Sequence, residues 1–582
     1  MSDGRLPPRR RWVGWAISLV LILLLLSIGW VFIRGFGAAT ELQNVRNAAA
    51  QLRSSIQDRD FQRAEQTAPR VEQHAALARD LTSDVVWRAF EFIPWIGGDL
   101  TSFREITELA DTAVTGAIPP LIAVANEAEA DLATLGLNGS HVDLAPLTVL
   151  QEPLSESASV LAETDHQAQR IDVDLTLPML GEIVTETRDL IHEASETIGA
   201  MHGASVLLPN MLGSNGPRTF LIAVQNNAAL RSQGGAVQAL LLARAEHGAL
   251  SIQRTASAHD FPALAEPLPL DEATIALFGD APGRIVRDAT STPEFAGAAE
   301  MLAARWGQLY GDAIDGVIAL DLVALQQLTE ATGEISFADL TGDAETLVQL
   351  LGSEIPATDV APAAYDALVG HAATALSSTL LSSNDPLAVL GALSDAASAG
   401  HIRLWSIHPE EQSVLAPSAL GGTLPKDTDD EVYVDVLFND TTGGAMDYYA
   451  DATISHAIGE CHGEPTTQVT VTWKNGAPTG ELPLAVTGSP DPEDVDALEP
   501  GTTRTLISFV GPEGATPQES GDVRARIGER PVVQYDVTVP RRESRTITAT
   551  FTGSADARQF VHVRHTPMLG DVDVTRAVLE CG

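Results

Sequence analysis

The chain has 582 residues, 45% hydrophobic and 19% charged, a balance that suits several folded domains and excludes a disordered protein. Its formal net charge is −43, and Lys426 and Lys474 are its only lysines. Acidity of this size excludes nucleic acid as a partner, because binding a phosphate backbone requires basic surface.

Residues 12–33, WVGWAISLVLILLLLSIGWVFI, carry no charge and are long enough for a helix across about 30 Å of hydrocarbon. Trp12, Trp15 and Trp30 lie near the two ends, where an aromatic belt belongs. Residues 1–11 hold Arg5, Arg9, Arg10 and Arg11 against Asp3. The positive-inside rule therefore expects a cytoplasmic basic tail, one uncleaved transmembrane helix, and an extracytoplasmic remainder. A cleaved signal peptide is the alternative, with Gly37-Ala38-Ala39 as its cleavage site, but the apolar run exceeds the roughly 7–15 residues of a signal core. The tail has no room for a signalling output domain.

Residues 38–205 read as an α-helical stalk. Leu42, Val45, Ala49, Leu52 and Ile56 step by three and four, forming one apolar stripe. After an Asp58-Arg59-Asp60 break, Phe61, Ala64, Ala68, Val71, Ala75 and Ala78 repeat it, so an antiparallel hairpin is expected, with a kink or boundary at Pro69. Pro94-Trp95-Ile96-Gly97-Gly98 is a turn by composition. A further stripe, Phe103, Ile106, Ala110, Ala113 and Ala117, should stop at Pro119-Pro120, and another helix is expected over residues 180–201. A packed bundle is the plainest reading; a spacer, an oligomerisation element or a partner groove are the others.

Residues 217–420 alternate strands and helices, the pattern of a central α/β sheet covered by helices. An apolar run at 219–224 ends in Gln225-Asn226-Asn227, and Arg231 and Gly234-Gly235 precede a second run at 236–243. Polar residues at a strand end are where α/β sheets bind ligands, and a glycine pair lets backbone amides approach closely. Gln225, Asn226, Arg231, Gly234 and Gly235 are therefore the candidate ligand-binding residues, with a plain β-turn and a surface arginine as the alternative. A third strand is expected over 249–255, then a helix over 293–310 with Thr292 as N-cap. A strand over 315–321 comes next, and then a helix over 322–332, stopped by Gly333. Further helices are expected at 343–351, 361–382 and 386–399, and a strand at 401–407. Between residues 217 and 290, the six arginines Arg218, Arg231, Arg244, Arg254, Arg284 and Arg287 face seven acids, so this stretch is far less acidic than the rest. Such a set could hold a phosphate or pyrophosphate, with Asp260, Asp315 or Asp321 as weak candidates for a divalent cation. Pairing with neighbouring acids is the commoner fate of surface arginines.

From residue 427 to 582 the pattern changes to period two, with eight runs (VYVDVLF, ATISHAI, QVTVTW, TLISFV, VVQYDVTV, RTITATF, FVHVRH and VDVTRAV) that read as an immunoglobulin-like β-sandwich. Cys461 follows the second run and Cys581 the last; in an oxidising compartment they would form one disulfide, the alternative being two unpaired thiols. The acidic runs at 427–430 and 491–496 could attract Ca²⁺ but lack an EF-hand loop, so solvated linkers are the better reading. The fold class is multidomain α+β. No phosphate loop, Gly-x-Ser-x-Gly elbow or His-Glu-x-x-His motif is present, no catalytic triad can be nominated, and no cofactor is identified.

The segment QNNAALRSQGG resembles the Gln-Asn-x-x-Glu-x-Arg-x-Thr-Gly-Gly signature of a bacterial, actinobacterial-type envelope family known as domain of unknown function 4012. WRAFEFIPWIGGDL from Trp87, ATSTPEFAGAAEMLAARWG from Ala289 and DGVIALDLVALQQLTEATGEI from Asp315 resemble it too. Ala229 and Gln233 stand where that signature has Glu and Thr. DGVIALD and ATGEI are also distantly similar to the LytR–CpsA–Psr envelope proteins, though the Arg-x-Asp and Pro-Arg-Asp motifs of that family are missing. The first resemblance implies a membrane-anchored extracytoplasmic cell-envelope protein, and the lack of a complete catalytic constellation makes it more a non-catalytic binding or structural protein than an enzyme. Its partners would be the membrane and a cell-wall glycopolymer or another envelope protein. The second implies a phosphotransferase, or a binder of polyprenyl-pyrophosphate-linked glycopolymers, with Mg²⁺ as cofactor. A sensor acting through a membrane partner is the third reading. Arginine over lysine, with abundant alanine, suggests a GC-rich genome.

Overall fold

The structure is a computed structural model that describes residues 9–57, 60–127, 137–138, 141–142, 144–171, 177–358, 360–383, 386–428, 431–488, 498–519, 521–553, 560–579 and 581. The basic tail before residue 9, the acidic run at 491–496, and Asp429 and Asp430 lie outside the described residues. The chain is mixed α+β and forms two compact units, residues 1–135 with 144–208, and residues 136–143 with 209–582.

The first unit is helical. Helix α1 (Arg9–Gln57) is 49 residues long, and among the described residues it alone is long and apolar enough to cross a membrane. Its leading part, including Trp15 and residues 19–26, is exposed, whereas Leu42 and Val45 of the expected stripe are buried. Helix α2 (Phe61–Thr82) begins where the Asp60 carboxylate accepts the Arg63 amide at 3.0 Å, and it runs on through Pro69. A short α3 (Val85–Phe90) is capped by Asp84, which accepts the Trp87 amide at 2.8 Å. Helix α4 (Gly97–Glu127) does not stop at Pro119-Pro120. Proline φ suits a helix, and packing on the helix Ala145–Gln169 holds the segment: Ser157 Oγ donates to the Ala117 carbonyl at 2.9 Å. Gly116 is needed there, because a Cβ would lie 2.6 Å from Val160 Cγ1. With Pro178–Met211, these helices bury an alanine-rich core around Trp87, Phe103 and Ile106.

The second unit is built on a seven-stranded sheet: β1 (Leu137–Asn138), β2 (His141–Val142), β3 (Arg218–Arg231), β4 (Gly234–Glu246), β5 (Ala249–Ser257), β6 (Gly316–Leu320) and, after the short β7 (Ile335–Phe337) and β8 (Leu340–Gly342) pair, β9 (Ile402–Ser406). Its order is β1-β2-β5-β4-β3-β6-β9. Strand β3 lies near the middle, antiparallel to β4 and parallel to β6. Leu221, Ala223, Leu240 and Val317 point to one face, against the helix Phe295–Tyr310 and its Trp306. Ala239 points to the other, where Gly370 of the helix Pro362–Leu381 comes so close that a Cβ would sit 3.3 Å from the alanine methyl. Burial on both faces explains why β3 and β4 are apolar runs and not alternating ones. The Phe295 helix starts two residues later than expected: its N-cap is Glu294, and Thr292 Oγ1 instead donates to the Glu294 carbonyl at 2.8 Å.

Among the described residues from 431 onward there are ten strands: β10 (Glu431–Asp440), β11 (Ala450–Cys461), β12 (Glu464–Asn475), β13 (Thr503–Val510), β14 (Thr516–Pro517), β15 (Val523–Ile527), β16 (Arg530–Val539), β17 (Ser544–Thr552), β18 (Phe560–His565) and β19 (Asp573–Arg576). They make two five-stranded sheets, β15-β16-β13-β10-β18 and β14-β17-β12-β11-β19. The inward residues of both sheets, among them Val436, Phe438, Phe509, Val471, Trp473 and Phe551, share one core. Strands β18 and β19 pair in parallel with β10 and β11. Cys461 and Cys581 are bonded, S–S 2.02 Å, which ties the chain beyond β19 to the end of β11. Asp427 of the first acidic run is no linker charge: it accepts the Tyr433 and Glu513 amides and pairs with Arg530 at 2.6 Å.

Candidate functional site

Strand β3 does not end at Gln225-Asn226-Asn227. It continues to Arg231 across an irregularity in which Asn226 faces Ala236 and Leu230 faces Gly235, so residues 227–229 bulge from the ladder. The glycine pair makes this possible. A Cβ on Gly235 would lie 2.2 Å from the Asn226 carbonyl, and Gly234 has φ +119° with the Gln225 side-chain oxygen against it. Close approach is real, but the partner is the protein's own bulge.

The structure brings all five candidate residues together at the tip of the β3–β4 hairpin and buries them. The tip enters the C-terminal strands: Leu230, fully buried, belongs to the core shared by the two five-stranded sheets. Its amide donates to Asp447 Oδ2 at 2.8 Å, and the Ser232 amide donates to Asn439 Oδ1 at 3.0 Å. Thr566 Oγ1 donates to the Ser232 carbonyl at 3.1 Å. On the other side the Gln233 amide donates to the Thr290 carbonyl at 3.0 Å, and Thr290 Oγ1 donates to the Gly235 carbonyl at 2.8 Å.

Arg231 is 8% exposed. Its Nε and Nη2 donate to Asp288 Oδ1 at 3.0 and 2.6 Å, and Nη1 donates to the Leu230 carbonyl at 2.7 Å and the Asp440 carbonyl at 3.3 Å. The Asp440 carboxylate is 3.9 Å away. Burial pulls the guanidinium pKa down, but Asp288 and Asp440 outweigh it, so it lies above the ordinary arginine value. Burial raises Asp440 against the opposing pull of Arg231, and it raises Asp447 well above the usual carboxylate range, with Asp440 adding to the shift. The site is thus one cation shared among three carboxylates, two of them shifted by burial toward the neutral form, Asp447 the more strongly.

Asn226 Nδ2 donates to the Tyr365 hydroxyl at 2.9 Å, and Asn226 Oδ1 accepts the Ala228 amide within the bulge at 2.8 Å. Gln225 Nε2 is buried and has no hydrogen-bond partner among the described residues. The residues that sequence reasoning missed are Asn227, Ser232, Gln233, Asp288, Asn439, Asp440, Asp447 and Thr566. Asn227 Nδ2 donates to Asp321 Oδ2 at 2.7 Å and to the Pro567 carbonyl at 3.1 Å, so it joins three segments. Only its place in the Gln-Asn-Asn run marks it in the sequence.

The three acids considered for a cation lie apart. Asp315 and Asp321 flank β6, about 20 Å along a strand of this length. Asp315 accepts the Thr219 amide at 2.7 Å and faces His408 at 3.0 Å. Asp321 caps the helix Leu322–Thr332, accepting the Ala324 amide at 2.9 Å, and faces His401 Nδ1 at 2.7 Å. Asp260 accepts the Ser257 amide at 2.9 Å in a capping box. Among the described residues no group of three or more His, Cys, Asp or Glu side chains could hold a metal ion. Arg231, the cation considered for a pyrophosphate, is engaged internally by Asp288 and two backbone carbonyls.

No curated protein matches the chain, and no solved structure does. Residues 215–355, which carry the β3–β4 hairpin, β5, β6 and the Phe295 helix, match the family described as protein of unknown function (DUF4012).

Proposed function

We propose that this chain is a non-catalytic, single-pass protein of the cell envelope. In this reading its N-terminus is cytoplasmic, the bulk of the chain is extracytoplasmic, and the C-terminal strands form an immunoglobulin-like sandwich. Its partner is a cell-wall glycopolymer or another envelope protein, and the arginine-rich, lysine-poor usage is what supports an actinobacterial type. One observation carries the non-catalytic reading: the donors of Arg231 that would have to grip an anionic ligand meet Asp288 and two backbone carbonyls. A cation held this way fixes a hairpin; a phosphate would have to break those bonds to reach it.

A ligand-binding alternative is favoured by one atom, the buried and unpartnered Gln225 Nε2. Full-length protein in detergent, titrated with a polyprenyl pyrophosphate with and without Mg²⁺, separates the two. The scaffold reading expects no saturable binding and no turnover. Saturable binding lost in Gln225→Ala would replace it with a binder, and Mg²⁺-dependent turnover would replace it with a phosphotransferase of the LytR–CpsA–Psr kind. Accessibility labelling on intact cells tests the topology, which requires residues beyond 33 to react from outside.

A further inference from the structure

The connection from α2 to α4 lies beside the end of the apolar span. Helices α1 and α2 run antiparallel: His74 Nδ1 is 2.6 Å from Glu41 Oε2, and a Cβ on Gly37 would be 3.2 Å from Leu81 Cδ1. Asp84 Oδ2 accepts Trp30 Nε1 at 3.0 Å and pairs with Arg34 Nε at 2.8 Å. Arg34 also donates to the Leu81 carbonyl at 2.8 Å. The end of α2 is therefore level with Arg34 and Gly37, just past the uncharged run of residues 12–33, and Asp84 at the start of the connection reaches back to Trp30, the depth of an aromatic belt.

That connection has two sides. Trp87 and Phe90 turn inward, with the Trp87 ring 3.3 Å from where a Gly35 Cβ would be. Val85, Phe92 and Trp95 turn outward and are 84%, 88% and 86% exposed, beside an α1 whose Phe32, Ile33 and Phe36 are 70%, 70% and 63% exposed. Trp95 has φ +78°, a conformation bulky residues avoid. Arg88, between them in sequence, is exposed.

We propose that residues 85–95 are a second membrane contact. Val85, Phe92 and Trp95 enter the boundary between headgroups and acyl chains of the leaflet from which α1 emerges, and Arg88 lies among the lipid phosphates. The occupant is the bilayer surface itself, because the span continues directly into this patch. The bundle is then held to the membrane at two points, which fixes its tilt as a single helix would not. This inference rests on the reading of α1 as a membrane anchor.

The test uses the full-length chain in phospholipid vesicles with one cysteine added at a time, Phe92→Cys or Trp95→Cys, carrying an environment-sensitive fluorophore; the native cysteines are bonded to each other. Leu24→Cys reports the span. Ser159→Cys is the aqueous control, next to the Val160 contact with Gly116, about 29 Å along α4 from Gly97. Labels at 92 and 95 should lose most of their emission to lipids carrying a nitroxide near the headgroup and little to lipids carrying it at the chain end, while the label at 24 shows the reverse. Labels at 92 and 95 that match Ser159, with Leu24 still quenched, overturn the second contact and leave the anchor standing. A Leu24 label that no lipid nitroxide quenches sinks the anchor and this inference with it.

Discussion

Replacing Arg231 with methionine keeps much of the stem and removes the charge, leaving Asp288, Asp440 and Asp447 without their cation. Asp440 is the costly one. It is almost fully buried and 3.9 Å from the guanidinium, a separation worth about 4 kcal/mol at an effective dielectric near 20. Asp288 is closer but partly exposed, and solvent screens it. Removing one partner of a buried pair costs about 3–5 kcal/mol, so the two estimates agree. At about 2 °C per kcal/mol for a large domain, the thermal midpoint should fall by roughly 8 °C. The assay is thermal unfolding of the full-length protein in detergent without added ligand, followed by tryptophan fluorescence. Asp440→Asn in the Arg231→Met background should restore part of the loss, with a coupling of about 1–3 kcal/mol. A ligand-gripping arginine behaves differently, since truncating it leaves the ligand-free midpoint unchanged. A shift below about 1 °C, under 1 kcal/mol on the same scale, would refute the structural reading of this cation.

The raised pKa of Asp447 has a definite sign: the folded state holds a proton that the unfolded state releases, so stability declines as pH rises from the ordinary carboxylate value toward the folded one. Asp447→Asn should therefore raise the midpoint near pH 7 and converge with the parent protein below about pH 4; equal midpoints at pH 7 would contradict it. Gly235→Ala forces a Cβ to 2.2 Å from backbone and should cost about 3 kcal/mol, whereas Gly391→Ala, in a helix with open space around it, should stabilise by roughly 0.5–1 kcal/mol. Like-signed shifts would show that the hairpin yields where the close approach is drawn. Reducing the Cys461–Cys581 bond should lower the midpoint by an amount equivalent to about 2–5 kcal/mol, since the bond closes a 120-residue separation; an unchanged midpoint on complete reduction would count against that constraint.

Local pattern was enough for the elements. The uncharged run at 12–33 marks the apolar helix because hydrophobicity over that length is a property of composition alone. The eight alternating runs after residue 427 each fall on a strand, since period two is written residue by residue. The two strands without a run of their own, β14 and β15, are short. Two prolines misled: Pro119 and Pro120 argue for a stop, and the bundle overrode them because neighbouring helices supply the packing that a lost hydrogen bond removes. The hairpin residues 225–235 were visible as an unusual polar cluster, and their gathering in space follows from their nearness in sequence. The partners of that cluster were not visible. Asp288, Asp440, Asp447 and Thr566 lie from 57 to more than 300 residues away, and no spacing rule links Arg231 or Ser232 to them. Sequence order sets which side chains are polar and how each short segment curls. Whether a polar cluster opens to solvent or is roofed by another part of the chain depends on contacts between distant segments, which exist only once loop closure has brought them together.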